Sequence, residues 1–264
     1  MQITTILPVS RIEYLDRVLD SLKNQTVKPN SLIVVFDGSD QDYIAVRNKI
    51  VSQPFNQVLC VKSLNGPAVY TIPERRRHIV NIHNQARQLI GQADWVFSIE
   101  DDGILPSDAL DKLCSIARSK VGIVTGVELG RWGVPYVGAW RADDIYAPTL
   151  LTSLMSRSGE GVVEEIDACG LYCALIRADI YKSYEFDISN GLGPDVNLAL
   201  YARQKGYYNY IHWGIPVTHL TNMGGLEIEI PATDTAAVVS LMLEGKHWQQ
   251  IKYPMDKHQK FPYN

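Results

Sequence analysis

The chain has 264 residues, 46% of them hydrophobic and 20% charged, with a mass of 29.6 kDa and a formal net charge of -4. That length suits one large α/β core, and no apolar run approaches the roughly 20 residues that span a bilayer. The acidic balance excludes a broad nucleic-acid-binding surface and leaves only the local basic patch "ERRRH" at 74–78.

In chain order, "ITTILPV" reads as a buried strand, with Ser10 placed to cap a helix that carries Tyr14, Leu15, Val18, Leu19 and Leu22 on one face. "SLIVVFDGSD" is a second, nearly continuous apolar strand running into Asp37 and Gly38; "QDYIAVRNKIVSQ" is a helix, "QVLCVKSL" a third strand and 75–91 a third helix. "ADWVFSIEDD" is a fourth strand, followed by the helix "SDALDKLCSIARS" and the strand "VGIVTGVEL". The aromatic stretch "VPYVGAWRADDIYAP" is irregular, and "IDACGLYCALIRADIYKSY" is a strand entering a short helix. A helix from 193 ended by Gly206, then a strand, exits at His219. Buried strands alternating with helices imply an α/β fold with a mainly parallel central sheet and helices on both faces. Two parts are expected: residues 1–221 as the main domain, and 222–264 as a C-terminal helix and tail packed on or over the site. The start "MQITTILPVSR" has no basic leader or small-residue cleavage site, so a cytoplasmic protein is expected. Cys60, Cys114, Cys169 and Cys173 form no C-x-x-C pair and read as reduced core residues.

In an open α/β sheet, ligands bind beyond the carboxyl ends of the strands, and this is where the polar residues gather. Asp37 ends the second strand, and Glu100, Asp101 and Asp102 end the fourth. Adjacent carboxylates raise one another's proton affinity unless a cation offsets the field. A divalent ion with diphosphate oxygens is the simplest offset, and Mn²⁺ or Mg²⁺ suits such oxygen ligands. The alternatives are an ordinary turn at Asp37-Gly38 and a solvated charge run at the triplet. A dinucleotide-binding reading fails, because the first strand-to-helix turn, "LPVSRIEYL", has no glycine. His78, His83 and His212 share no ligand spacing and read as packing or surface residues.

Taken together, "ILPVSRIEYLDRVLDSLKNQT", "LIVVFDGSD", "SLNG", "WVFSIEDDGILPSDALDKL", "GLYCALIR", "GPDVNLALYARQKGY" and "VTHL" follow one another in an order that resembles the family-2-like glycosyltransferases of GT-A fold. The resemblance spans about residues 3–220. It implies that Asp37 binds the donor's nucleobase beside Pro8, Val9 and Ser10, and that Asn65 and Gly66 face the ribose and diphosphate. It further implies that Arg77 or a neighbour contacts phosphate, that Glu100 and Asp102 occupy the acidic positions of the D-x-D motif, and that Asp101 touches the ribose. Asp102 and His219 are the implied metal ligands and Asp195 the catalytic base.

The function implied is a metal-dependent, inverting transfer of a sugar from a nucleoside diphosphate donor, UDP by preference, to a hydroxyl. The acceptor is a glycan or, given the arginine cluster, a hydroxymethylated DNA base. Two departures bear on this: Pro194 replaces the usual Glu before Asp195, and Phe36 replaces the first Asp of Asp-Asp-Gly-Ser. The rival readings are an inactive nucleotide-sugar-binding module and a metal-dependent phosphohydrolase.

Overall fold

The computed structural model describes residues 1–65, 72–128, 136–155, 162–188, 191–223 and 226–231. The elements are β1 (Ile3–Val9), α1 (Leu15–Lys23, entered through a 3₁₀ turn at Ile12–Tyr14), β2 (Ser31–Phe36), α2 (Asp40–Val51), β3 (Gln57–Lys62), α3 (Ile72–Leu89), β4 (Trp95–Ile99) and the two-residue β5 (Gly103–Ile104). They continue with α4 (Ala109–Ile116), β6 (Val121–Val127), β7 (Tyr136–Ala142), β8 (Leu151–Met155), β9 (Val163–Ile166) and β10 (Ala168–Cys169). The last are β11 (Cys173–Arg177), α5 (Ala178–Ser183), α6 (Pro194–Gln204), β12 (Tyr208–Pro216), β13 (Thr218–Met223) and β14 (Leu226–Pro231).

Eight strands form the main sheet in the order β3-β2-β1-β4-β11-β6-β12-β9. β1 runs parallel to both β2 and β4, and β2 parallel to β3; β11 lies antiparallel between β4 and β6. The α/β class and mainly parallel sheet expected from the sequence are therefore present. Alternation along β1 sends Ile3, Leu7 and Val9 into one core with Leu15, Leu19 and Leu110, and Ile6 into the other with Ile82, Ala86 and Val96. The chain leaves β1 toward β2 on one side and reaches β4 on the other. That reversal opens a crevice at the carboxyl ends of β1 and β4, where α/β sheets bind ligands.

Three local expectations change. Ser10 is no helix cap, for its hydroxyl donates to Asp101 at 3.2 Å instead; Ser39 does cap α2, accepting from the Asp42 N–H at 3.1 Å. The aromatic stretch expected to be irregular contains β7, which pairs with β8 and β10 in a second sheet. Residues 226–231, within the stretch expected to be a helix plus tail, form β14, which pairs with β13 in a hairpin over 218–231. Residues 232–264, the rest of the expected tail, lie outside the described residues, as does Gly66. At the end of α6 the chain turns at Gly206 with φ +83°, a backbone conformation that glycine adopts without steric cost. Cys60, Cys169 and Cys173 are buried and all four thiols are free.

His83, on α3, is packed against Tyr181 of α5 and Phe186 just beyond that helix. Its Nδ1 lies 2.6 Å from the Tyr181 hydroxyl and its ring stacks on Phe186 at 4.9 Å between centroids. Burial lowers its pKa to about 4. The unfolded chain takes up this proton near pH 6.5 and the folded one only near 4, so stability falls as pH drops through that window. The loss attributable to His83 is about 3 kcal/mol by linkage. Denaturant melts at pH 7.5 and 4.5 should show the pH-dependent difference shrinking by that order in His83→Gln; an unchanged difference would place the lost stability elsewhere.

Candidate active site at the β1–β4 crevice

The register of the sheet explains how the acidic strand end meets the first loop. Ile6 pairs with Ser98, so counting three residues along both parallel strands brings Val9 level with Asp101. Asp101 is 3% exposed, and its Oδ2 accepts the backbone N–H groups of Ser10 at 2.6 Å and Arg11 at 2.8 Å. Its Oδ1 accepts from Arg11 Nε at 2.9 Å and also from Arg11 Nη2. Both oxygens are thus engaged in fixing the β1 loop, a task that the sequence reading, which had Asp101 touching a ribose, did not assign to it.

Asp102 is fully buried. Its Oδ2 is shared by Arg11 Nη1 and by His219 Nε2, the latter at 2.8 Å. His219 arrives from 117 residues away because β13 pairs antiparallel with β5, setting His219 opposite Gly103, and the Leu220 N–H donates to the Asp102 carbonyl at 2.7 Å. His219 is 1% exposed, and its Nδ1 lies 3.8 Å from Glu128 Oε1. The positive charge nearest the triplet is therefore the Arg11 guanidinium. Burial works against its charge, but Asp101, Asp102 and Glu100 outweigh that cost and its pKa is raised.

A carboxylate oxygen and an imidazole nitrogen side by side form a donor pair that suits Mn²⁺, with phosphate oxygens or water completing the shell. The chemistry of Asp102 and His219 thus fits the ion implied by the sequence. The same carboxylate oxygen, however, already carries a guanidinium.

At the other end of the crevice, Asp37 follows β2. Its Oδ1 accepts from the Ser63 hydroxyl and from Asn65 Nδ2, the latter at 3.0 Å, and its Oδ2 lies 3.1 Å from His78 Nδ1. Asn65 also donates to the His78 carbonyl at 3.2 Å, which ties the β3 exit to α3. His78, read from sequence as a packing or surface residue, is thus a partner of Asp37. Phe36, in place of the resemblance's first Asp, is buried and turned into the core; a Cβ on Gly38 would fall 2.4 Å from its ring.

Between the two ends lies a cavity of about 500 Å³ lined by Pro8, Val9, Ser10, Arg11, Asp37, Arg75, His78, Glu100 and Asp101 among others. The face that α3 turns to it carries Arg75, His78, Ile79 and Ile82, one helical stripe. Arg75 rather than Arg77 is the basic residue on that stripe. Arg76 reaches sideways, Nη1 donating to the Gly191 carbonyl at 3.1 Å.

Asp195 enters in the first turn of α6, behind Gly193 and Pro194, whose fixed φ suits a first helical position. A Cβ on Gly193 would strike Asp195 Oδ1 at 2.3 Å, and one on Gly170 would meet Oδ2 at 3.8 Å. Gly170 adjoins Leu171, a residue of the cavity wall, so Asp195 stands beside the crevice. Burial raises its pKa; the backbone N–H groups at the helix start and Arg76 act in the opposite direction.

An open α/β sheet with acidic residues and a histidine converging at its switch point defines a protein that handles ligands in that crevice. A model of the family described as "Glycosyltransferase like family 2" matches residues 3–230, and the chain belongs to that family. It is a family-2-like glycosyltransferase of GT-A-like fold.

None of the curated protein sequences matches the chain. Among solved structures it is similar to GalNAc-T7, crystallised with UDP, GalNAc and Mn²⁺, at 11% identity and TM-score 0.61, over 91% of this chain and 48% of that one. It is also similar to residues 1–349 of Staphylococcus aureus TarS, at 14% identity and TM-score 0.51, over 80% of this chain and 58% of that one. The chain thus spans only about half the length of these structures. Likenesses at such identities concern the fold. No helix of the described residues is long and apolar enough to cross a membrane.

Proposed function

We propose that this enzyme transfers a sugar from a nucleoside diphosphate donor, UDP by preference, to an acceptor hydroxyl with inversion at the sugar carbon. The observation that carries the reading is the meeting of Asp102 with His219 at 2.8 Å, beside a cavity whose far end holds Asp37. Asp37 follows β2 and the acidic triplet follows β4, on either side of β1, so an elongated ligand would place a hydrogen-bonding base at one and phosphates at the other. GalNAc-T7, of similar fold, was crystallised with a ligand of that kind and with Mn²⁺.

In this reading Asp37, held by Ser63, Asn65 and His78, takes the nucleobase, with Pro8, Val9 and Ser10 beside it. Arg75 faces the phosphates from α3. Asp102 and His219 hold a divalent metal, which would supply Lewis-acid stabilisation of the departing diphosphate. Asp195 accepts the proton of the attacking hydroxyl. The catalytic unit runs at least through β14. The acceptor is a glycan hydroxyl or a hydroxymethylated base in DNA. A DNA acceptor predicts activity that falls steeply with salt.

The test is a thermal-shift panel of UDP, GDP, ADP and CDP with and without Mn²⁺. UDP with Mn²⁺ should stabilise the protein most, by about 2.7 kcal/mol at 100 times its dissociation constant. His78→Ala should weaken UDP binding about tenfold by freeing the Asp37 carboxylate to turn. No shift with any nucleotide would overturn the reading. Turnover should release intact UDP; release of sugar phosphate would favour a phosphohydrolase, and nucleotide binding without turnover an inactive binding module.

A further inference from the structure

Arg11 joins the acidic strand end from the neighbouring loop. Its Nε and Nη2 lie on Asp101 and its Nη1 on Asp102 Oδ2, the oxygen that also meets His219. The Asp101 contacts are backed by the Arg11 backbone N–H, which donates to the same carboxylate at 2.8 Å. The guanidinium is therefore anchored on one side by a residue with no part in holding a metal. On the other side it rests on the carboxylate that the proposed function needs for one. About 30% of its side chain is exposed, and Arg11 lines the cavity.

We propose that Arg11 is a resident counter-cation that a divalent metal has to displace from Asp102, so that metal binding depends on the arrival of the donor's diphosphate. This rests on the reading of Asp102 as a metal ligand. A divalent ion on Asp102 Oδ2 and a guanidinium on the same atom would repel each other at contact distance. Free metal therefore competes with a cation that the chain supplies at no cost in association entropy. A diphosphate changes the balance. Its oxygens give the released Nη1 a new anionic partner within the swing of a side chain still tethered through Nε to Asp101, and they supply further ligands to the metal. Metal and nucleotide then bind with positive coupling, which is reciprocal. Without nucleotide, the guanidinium keeps three adjacent carboxylates neutralised enough for the fold to hold.

The proposal is tested by counting free Mn²⁺ through its electron paramagnetic resonance signal, on the full chain, with and without UDP. Wild type should bind Mn²⁺ weakly alone and at least tenfold more tightly with saturating UDP. Arg11→Met should bind Mn²⁺ alone at least tenfold more tightly than wild type, and the tightening by UDP should shrink correspondingly.

Because Arg11→Met strands the buried Asp101 carboxylate, the same titration is run on Arg11→Met/Asp101→Asn, which removes that charge and keeps an oxygen for the backbone N–H groups of Ser10 and the residue after it. Circular dichroism melts confirm folding. If either folded variant binds Mn²⁺ alone no better than wild type, Arg11 is not a competitor and the proposal falls. UDP-induced thermal stabilisation in that outcome would leave the donor reading intact. The absence of both UDP and Mn²⁺ binding in all proteins would overturn that reading as well.

Discussion

Asp102→Asn is expected to lower kcat about 10²- to 10³-fold with donor saturating, the range lost when one preorganised group that stabilises developing charge is removed. The substitution keeps shape and an oxygen acceptor. The Asp102 carbonyl, which receives the Leu220 N–H at 2.7 Å, belongs to the backbone and is untouched, so the β5–β13 pairing that delivers His219 should survive. What disappears is one buried negative charge facing both Arg11 and His219.

Stability should fall by about 1–3 kcal/mol, since charge-assisted hydrogen bonds at Oδ2 become neutral ones. Arg11 retains Asp101 as a partner, which limits the damage. Kinetics at several Mn²⁺ concentrations, beside a denaturant melt, separate these effects: the rate should not be restored by millimolar metal. A variant within threefold of wild-type kcat would remove Asp102 from the chemistry. His219→Ala provides the paired check. If the two residues act on one ion, their double variant should be little worse than the poorer single one, as expected for groups that work as a unit.

Much of this site could be read from residue order, because the sheet turns sequence position into spatial position. A continuous apolar run such as Leu32–Phe36 announces a buried parallel strand, and whatever follows it must lie at the carboxyl edge. Asp37 and the acidic triplet were legible for that reason. Arg11 was not, although the clue existed: once β1 and β4 are taken as neighbours in parallel register, residues just after β1 face those just after β4. The cation that offsets the triplet is supplied by the chain itself, two positions past β1.

His78 was missed because a histidine alone carries no ligand spacing. The signal lay in the helical stripe it shares with Arg75 and Ile82, the latter buried in the core beneath the crevice. β7 was illegible for another reason: it is interrupted by a register shift between Tyr136 and Trp140 and offers no long alternating pattern. β14 did carry a signal, the apolar–acidic alternation of "LEIEIP". Ser10 failed as a cap because a buried carboxylate offered its hydroxyl and N–H a stronger, charge-assisted partner than a helix start could.

Asp195→Asn should reduce kcat about 10²- to 10⁴-fold, the usual worth of a positioned general base, while leaving UDP-induced thermal stabilisation within error of wild type. The split follows from placement. Asp195 sits in the first turn of α6, beside Gly170, and is not among the residues that line the cavity holding Asp37 and Arg11. Gly193 and Gly170 leave room for its carboxyl. Gly193→Ala, whose Cβ would fall 2.3 Å from Oδ1, should therefore displace the base and mimic much of the defect with Asp195 still present.

The pH profile supplies a readout that a merely structural role would not move. Burial raises the Asp195 pKa, and only the ionised carboxylate can accept a proton. Activity should accordingly climb with pH through a limb set above the ordinary value of about 3.9 for aspartate, and flatten once the group is charged. In Asp195→Asn that acidic limb should vanish from the residual rate. In Asp195→Glu, a longer carboxylate in the same sterically confined position should recover part of the rate and keep a limb. A wild-type-like limb in the Asn variant would mean that another group takes the proton, and the base would have to be sought elsewhere around the crevice.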